Sequence, residues 1–481
     1  MEYEAIIGME VHVQLKTASK IYCGCSTAFG AEPNTQTCPV CLGLPGALPV
    51  LNRKAVELGL KAAVTLVCDE IVERAAFARK NYFYPDLPKG YQITQFGAPL
   101  ARHGRIEIEV EGQQKEIGIR HLLIEEDAGK LIHSEGESDV SFVDFNRCGV
   151  PLLEIVSEPD LRTPAEAHAY LAALKEVIEY AGISDADMEK GQMRCEPNIS
   201  VRPRGYKEFG TRTELKNLNS FRNVERAIAF EIERHIGILE RGEKVEQATM
   251  LWDERAQRAS PMRVKEEAHD YRYFPEPDLT AVTLGRDLAA QIRAELPELP
   301  RAKRARFVSG YGIAPEQAAV CASSPAVADY FEAVAKACGD GNEAAKWIVG
   351  VVASAVNEGK WDVNAPSVAA EKLAALIRLV ADGAVSGIAA RENVFPAMLE
   401  RPGLEPEEAV DELGLRQMSD EARLEAVVDR VIAANPGEVV RYRRGEEKLL
   451  GYFVGQVMEE TKGRANPKIV NQLLRRKLAS G

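Results

Sequence analysis

The sequence predicts an α+β protein, sheet-rich in its N-terminal part and all-α beyond it. Two observations carry this. Up to about residue 275, short stretches of alternating apolar and polar residues recur, the period-two signature of half-buried strands. After about residue 290, Ala, Leu, Glu and Arg dominate, strand patterns vanish, and helix-like runs alternate with Gly and Pro breaks. The predicted domains are 1–290, 291–410 and 411–481, the last division following a hinge in Leu404-Glu405-Pro406-Glu407-Glu408.

A chain of 481 residues, 46% of them hydrophobic, can bury two or three cores at about 150 residues per domain. No apolar run approaches the roughly 18 residues of a membrane span, and Met1-Glu2-Tyr3-Glu4 lacks the basic start of a signal peptide, so a cytosolic protein is expected. The net charge of -13 argues against a blanket grip on nucleic acid but leaves room for a local basic face. In such a chain, nine cysteines read as thiols or metal ligands rather than disulfides.

The first stretch, Ile6-Ile7-Gly8-Met9-Glu10-Val11-His12-Val13-Gln14-Leu15, reads as a strand. Ile7, Met9, Val11, Val13 and Leu15 share one face, and Glu10, His12 and Gln14 the other, about 7 Å apart. Taken alone, a Glu-x-His face is most simply a solvated one. A second run, Ile119 to Asp127, shifts the balance because it ends in Glu125-Glu126-Asp127 before Ala128-Gly129-Lys130. Adjacent carboxylates repel, and they either spread into water or share a hard divalent cation at about 2.0–2.6 Å. Brought into one sheet, the two stretches would supply an open Mg²⁺ site.

Cys23-Gly24-Cys25, twelve residues, then Cys38-Pro39-Val40-Cys41 lie in a loop rich in Gly, Pro, Asn and Thr. Such a loop has too little to pack and needs a staple. Two close cysteine pairs can wrap Zn²⁺ tetrahedrally, and four thiolates leave no position for water, so a structural zinc on Cys23, Cys25, Cys38 and Cys41 is expected.

Residues 52–68 read as a helix. In 79–91, Arg-Lys-Asn-Tyr-Phe-Tyr-Pro-Asp-Leu-Pro-Lys-Gly-Tyr, the prolines demand a loop or an edge strand, and aromatics interleaved with cations suit stacking on bases or holding phosphate as well as a packed surface loop. Strand patterns return over 105–124 and 139–155, where Glu154 sits inside an apolar run. Thr163-Pro164-Ala165-Glu166 opens a helix with an N-cap, a proline in the first turn and a capping-box Glu, and Gly182 ends it.

Two polar-rich strands follow, Met193 to Val201 and Thr211 to Asn219. Glu196, Asn198 and Ser200 share one face, as do Glu214 and Lys216, which suits a concave platform for a polar ligand. Cys195 reads as strand packing, since no His lies near it in sequence. Ser220 caps an amphipathic helix ending before Gly242; its His235-Ile236-Gly237-Ile238 only imitates a synthetase nucleotide motif. Residues 441–481 carry ten Lys and Arg against four Glu, a net of +6 that favours a polyanion.

No phosphate loop GxxxxGK[ST], dinucleotide turn, GxSxG elbow or Cys-His pair is evident. Residue logic leads to a Mg²⁺-dependent phosphoryl- or acyl-activating enzyme acting on something attached to nucleic acid, relying on a partner for its nucleophile. A non-catalytic RNA-binding scaffold, its acids a solvated rim, is the alternative.

Several long motifs in order, Gly8-Met9-Glu10-Val11-His12, 79–86, Glu125-Glu126-Asp127-Ala128-Gly129-Lys130, 214–220, Tyr271-Arg272-Tyr273-Phe274-Pro275 and Gly463-Arg464-Ala465-Asn466-Pro467-Lys468, closely resemble the B subunit of the tRNA-dependent aspartyl/glutamyl amidotransferases. The resemblance implies a cradle-shaped, kinase-like domain, a helical middle and a small helical tail that grips tRNA. ATP would phosphorylate the side-chain carboxylate of Glu on tRNA(Gln) or Asp on tRNA(Asn). Ammonia, made from glutamine by a glutaminase A subunit and delivered through a tunnel, would displace phosphate, with a small C subunit tying the heterotrimer together. Carried over, Glu10, His12, Glu125 and Glu126 are Mg²⁺ candidates, and Lys80 is a candidate for the tunnel mouth or the phosphate. Asn198, Ser200, Glu214 and Lys216 are substrate candidates; Arg443, Arg444, Lys462, Arg464 and Lys468 are tRNA candidates.

Overall fold

The computed structural model describes residues 2–133, 140–264, 271–284, 286–418, 420–461 and 463–479. The chain forms two compact units, Met1–Leu299 and Pro300–Gly481. Helices follow strands as the composition requires, so the α+β expectation holds.

In the first unit the strands in chain order are β1 (Tyr3–Gln14), β2 (Glu70–Ile71), β3 (Arg74–Ala75), β4 (Ala78–Asn81), β5 (Tyr91–Thr94), β6 (Ala101–Val110), β7 (Gln113–Glu126) and β8 (Lys130–His133). They continue with β9 (Ser141–Asp144), β10 (Pro151–Ser157), β11 (Met193–Pro203), β12 (Thr213–Lys216), β13 (Ala248–Asp253), β14 (Arg258–Val264), β15 (Phe274–Pro275) and β16 (Val282–Thr283). Nine form one sheet in the order β14-β13-β12-β11-β1-β10-β7-β6-β2, with β1 at its centre. Neighbours run antiparallel except β12 and β13.

An antiparallel sheet can bury one face and leave the other polar. Ile7, Met9, Val11 and Val13 of β1 are buried in the core together with residues of α1 (Arg53–Thr65), α2 (Pro164–Tyr180) and α3 (Phe221–Glu240). Each such aliphatic side chain contributes about 1.5–3 kcal/mol. Slipping β1 by one residue would exchange its two faces, so this burial fixes where Glu10, His12 and Gln14 point.

The helix starts are those the sequence signals. Asn52 accepts from Lys54 N, Thr163 from Glu166 N and Ser220 from Asn223 N. Glu166 reaches back one residue further than a capping box requires, to Arg162 N at 2.7 Å, and also pairs with Lys115.

Two stretches differ from expectation. The strand read over 105–124 is a hairpin, turned at Glu111 and Gly112, both at positive φ, the backbone of a tight primed turn. Residues 78–81 are the middle strand of a three-stranded sheet, β15-β4-β5, with Pro85 and Pro88 in the intervening loop. The Arg79 guanidinium locks this sheet, binding the buried Glu276 carboxylate through Nε and Nη2 at 2.7 and 2.9 Å.

In the second unit, Leu404-Glu405-Pro406 leads into a helix at Pro406–Glu412 where the sequence reading expected a hinge, with Leu404 buried. Four helices, Glu421–Ala434, Pro436–Arg443, Leu449–Glu460 and Pro467–Ala479, close around Leu424, Val428, Phe453, Val470 and Leu474. The strand-like bridge of Met418 with Ala465 ties this tail together, and Gln417 N donates to Ala384 O of the helical middle at 2.7 Å.

Candidate metal and phosphoryl-transfer site

Register builds the site. His12 lies opposite Glu154 on β10 and Arg194 on β11; Glu10 lies opposite Glu196, and Asn198 opposite Gly8 and Glu214. Residues paired across antiparallel strands share a face, so these polar groups gather on the side of the sheet away from the helices. His12 Nε2 is 3.3 Å from Glu125 Oε1, 3.4 Å from Glu154 Oε2 and 3.8 Å from Glu10 Oε1. The Thr94 hydroxyl donates to Glu125, and His121 stands 3.7 Å from Glu154.

Burial sets the electrostatics. It pushes Glu10 up to about 7, aided by the Glu154, Glu196 and Glu214 charges and opposed by His12. Burial alone would lower the His12 imidazole, but hydrogen bonds and charges of Glu125 and Glu154 outweigh it and hold His12 well above its ordinary value. Burial raises Glu154, yet the hydrogen bonds of His12 and His121, with the Lys80 charge, pull it well below the usual carboxylate range. Likewise Lys80 is raised despite burial, chiefly by Glu125, and its Nζ lies 5.1 Å from the centre of the Tyr271 ring. One donor atom each of Glu10, His12 and Glu154 lies within 4.8 Å of the others, a nitrogen and oxygen set suited to a hard or borderline divalent ion.

The three consecutive acids of β7 do not act together. Successive strand residues face opposite ways, so Glu125 faces His12 while Glu126 turns away. The Glu126 carboxylate is buried, bound at 2.5 Å by Lys89 Nζ and at 2.8 Å by Ile93 N. Asp127 lies past the strand end and is held by Arg194 (2.9 Å), Gln14 (3.1 Å) and Arg147 (3.6 Å). Glu126 is thereby separated from the His12 group, and Glu154 stands in the place foreseen for it. The signal for Glu154 is a lone acid inside an apolar run, but only the register brings it to His12.

Two clefts border the group. One, of about 870 Å³, is lined by Glu10, Lys80, Tyr82, Glu196, Lys216 and Tyr271. The other, of about 320 Å³, has apolar Ile6 and Val156, exposed Phe209, and Asn198, Ser200, Arg120 and Arg212. The Asn198 carboxamide oxygen is buried and meets no donor among the described residues. Glu214 is buried with the Thr249 hydroxyl on its carboxylate at 3.1 Å, and Lys216 pairs with Glu196 at 2.7 Å.

The sulfur atoms of Cys23, Cys25, Cys38 and Cys41 lie within 4.8 Å of one another. A hydrogen bond from Cys23 is the largest influence drawing Cys41 down to about 4, with the Cys38 amide and the buried Lys20, whose Nζ is 3.6 Å from the sulfur, adding to it. A thiolate-forming, four-sulfur cluster fits a tetrahedral ion.

In the tail, Arg444, Arg464 and Lys468 are exposed; the Arg443 guanidinium donates to Leu478 O at 3.1 Å; Lys462 lies outside the described residues. Neighbouring cations are committed to acids, Arg441 to Glu446, Arg476 to Glu421 and Glu425, and Lys477 to Glu425 and Asp429. Among the described residues, no helix is long and apolar enough to cross a membrane.

Residues 5–290 match the family model described as GatB/GatE catalytic domain, and residues 329–478 the one described as GatB domain. The chain is 53% identical over 481 residues to the B subunit of the aspartyl/glutamyl-tRNA(Asn/Gln) amidotransferase of Carboxydothermus hydrogenoformans, covering 99% of each chain. Its identity to the B subunits of the same name is 52% in Syntrophotalea carbinolica, over 99% of this chain and 98% of the relative, and 52% in Moorella thermoacetica, over 99% and 100%. The chain therefore belongs to the GatB family of amidotransferase B subunits.

Proposed function

We propose that this chain is the component that uses ATP to phosphorylate the side-chain carboxylate of Glu or Asp misacylated onto tRNA(Gln) or tRNA(Asn), and then presents the acyl phosphate to ammonia. The observation that carries this is the packing of Glu10, Glu125 and Glu154 around one imidazole at the edge of a large cleft, with the half-buried Lys80 nearby. A solvated acidic rim, as a mere RNA-binding scaffold would have, needs no such burial.

A carboxylate is a poor electrophile, and converting it to an acyl phosphate gives ammonia a good leaving group. Glu10, His12, Glu154 and Glu125 would hold Mg²⁺, which neutralises charge on the transferring phosphoryl group. Without the cation, His12, held between Glu125 and Glu154, orients both carboxylates; as a ligand it would give up its Nε2 proton. Lys80, kept charged by Glu125, faces the large cleft, where it can meet the substrate carboxylate or the phosphate. ATP enters the smaller cleft, where the unpartnered Asn198 oxygen can accept from the exocyclic amine of adenine and Phe209 and Val156 offer apolar cover. Cys195 is buried with its thiol pushed up to about 12 by burial, so it is no nucleophile for glutamine; the nitrogen comes from a glutaminase partner, with a small third subunit completing the complex. Zn²⁺ on the four cysteines is structural, and Arg444, Arg464 and Lys468 grip tRNA.

The test is the complex with its partner subunits, misacylated tRNA, ATP, Mg²⁺ and glutamine. Amidated aminoacyl-tRNA should form only with ATP. Tight tRNA binding without amidation would favour the scaffold reading.

A further inference from the structure

One wall of the large cleft is the stretch Tyr271-Arg272-Tyr273-Phe274-Pro275. Its end is stitched into the three-stranded sheet as β15, where Phe274 and Pro275 lie opposite Arg79 and Ala78 of β4. Its start, Tyr271 and Arg272, lines the cleft together with Glu10 and Lys80. Aromatic contacts fix the residues on either side of Arg272: the Tyr273 ring stacks on Phe96 with centroids 4.0 Å apart, and Tyr271 stands edge-on to Tyr82 at 6.1 Å. Arg272 itself has a φ of 45°, a left-handed backbone that is costly for any residue with a side chain. The Asn81 side-chain amide holds it there, donating to Tyr271 O at 3.3 Å and to Arg272 O at 2.8 Å. Strain that the surroundings enforce gathers at ligand clamps and reacting sites, and here it sets an arginine on the cleft wall.

The other charges of the cleft single this residue out. Lys216 is bound to Glu196 at 2.7 Å, and Lys80 is surrounded by the charges of Glu125 and Glu154. Arg272 is exposed and pairs with no acid among the described residues. Glu10 lines both this cleft and the smaller one that takes ATP, so the metal group stands between the two. A phosphoryl group passed from ATP across Glu10 arrives in the large cleft as a dianion. A guanidinium fork, charged at every working pH, matches two of its oxygens at once.

We infer that Arg272 is a further catalytic residue, binding the phosphoryl oxygens of the acyl phosphate in the large cleft and of the inorganic phosphate that follows. The assignment rests on the function proposed above. In the first step a substrate carboxylate oxygen bonds to the γ-phosphorus, and the bond to the bridging oxygen breaks, its electron pair leaving with ADP. In the second, the ammonia nitrogen bonds to the carboxyl carbon, and the bond from that carbon to the phosphoryl oxygen breaks. The electron pair leaves with the phosphate, which also takes one proton from the nitrogen. Negative charge builds on the phosphoryl oxygens in this second step, so a cation there serves the attack of ammonia more than the binding of ATP.

Arg272→Gly separates function from structure, because glycine accepts the left-handed backbone freely. In the assembled complex this variant should melt no lower than the wild type. Its kcat for amidation should nevertheless fall about 10²–10³-fold, with KM for ATP and for aminoacyl-tRNA nearly unchanged. Inorganic phosphate should inhibit it at least about tenfold more weakly, as the loss of a charge-assisted pair of hydrogen bonds implies. Free guanidinium, added well below denaturing concentrations, should recover part of the turnover, and Arg272→Lys, which keeps the charge but not the fork, should lie between. Unchanged kcat and phosphate inhibition would leave Arg272 a solvated side chain, and a rise in KM for ATP alone would give it to the nucleotide. A melting temperature that falls along with turnover would make it structural; each of these three results overturns the proposal. Absence of amidation by the wild-type complex would instead sink the functional reading, which the wild-type control separates from failure of Arg272.

Discussion

Around His12, three carboxylates meet one imidazole and none of the four side chains is more than 30% exposed, whereas in the C-terminal four-helix unit cations such as Arg476 pair with more exposed acids of their own unit. In the first region, loss of solvent makes each charge depend on its neighbours and lifts Glu10 from an ordinary 4.5 to about 7. In the second, water screens pairs such as Arg476 with Glu421, and such exposed pairs contribute little. The tail's net of +6 is also smaller in three dimensions than along the chain. Residues 420–440 hold five acids against two arginines, and their helix packs against the basic one, so residues 420–479 net +3. Sequence charge therefore predicts binding poorly until the partners of each charge are known.

The largest effect should come where charge is most concentrated, at the cysteine knuckle. Zinc-thiolate binding couples strongly to folding, so Cys41→Ser or chelation should release bound metal and lower the melting temperature of the N-terminal unit by several degrees. The melting of the tail should not move. Protein prepared with zinc that carries no metal and four titratable thiols there would remove the site.

Next comes Glu154→Gln, which leaves the fold intact but takes one charge from the His12 group. Amidation should fall by about 10²–10³-fold while tRNA affinity is unchanged. An active Glu154→Gln enzyme would return the site to the acids read from the sequence alone.

The pH dependence is smaller and has a definite sign. Glu10 stands at about 7 in the folded protein against an ordinary 4.5, so without a cation its contribution to stability is present at low pH and is lost as pH rises through 7. Mg²⁺ requires the anion, so its affinity should rise with pH, about tenfold per unit below 7 from Glu10 alone. The Mg²⁺-induced rise in melting temperature, compared at pH 6 and pH 8, reads this directly. An equal rise at both would place the ion elsewhere.

The smallest effect distinguishes committed from available cations in the tail. Arg444→Ala should flatten the salt dependence of tRNA binding by up to about 0.9 in the log–log slope, by analogy with duplex DNA. Lys477→Gln combined with Asp429→Asn removes a pair without changing net charge and should leave the slope alone. Equal slopes in all three proteins would make the tail's charge a solvated surface.

These regions also differ in how far the sequence discloses them. The strand of Glu10 and His12 is legible because apolar alternation and burial enforce one another. The cysteine cluster is legible because its spacing alone allows four sulfurs to converge. Glu125 is found in sequence but Glu126 comes with it, although the same period-two rule separates them. Glu154 is visible only as an oddity, because its meeting with His12 depends on strand order, which no local pattern encodes. The hairpin at Glu111 and Gly112 escapes sequence reading because apolar residues continue on both sides of the turn. In the tail, the helices are legible, but the pairing of Lys477 with Asp429, 48 residues apart, requires the fold.

The central claim is that the polar face of β1 carries out phosphoryl transfer to a carboxylate. It is tested most directly by incubating the complex with misacylated tRNA, ATP and Mg²⁺ without an ammonia source, then trapping the acyl phosphate with hydroxylamine. The wild type should yield the side-chain hydroxamate with stoichiometric ADP, and His12→Ala should yield neither while binding tRNA normally. Hydroxamate formation by His12→Ala at the wild-type rate, or its absence from the wild type in the presence of ADP release, would contradict the account.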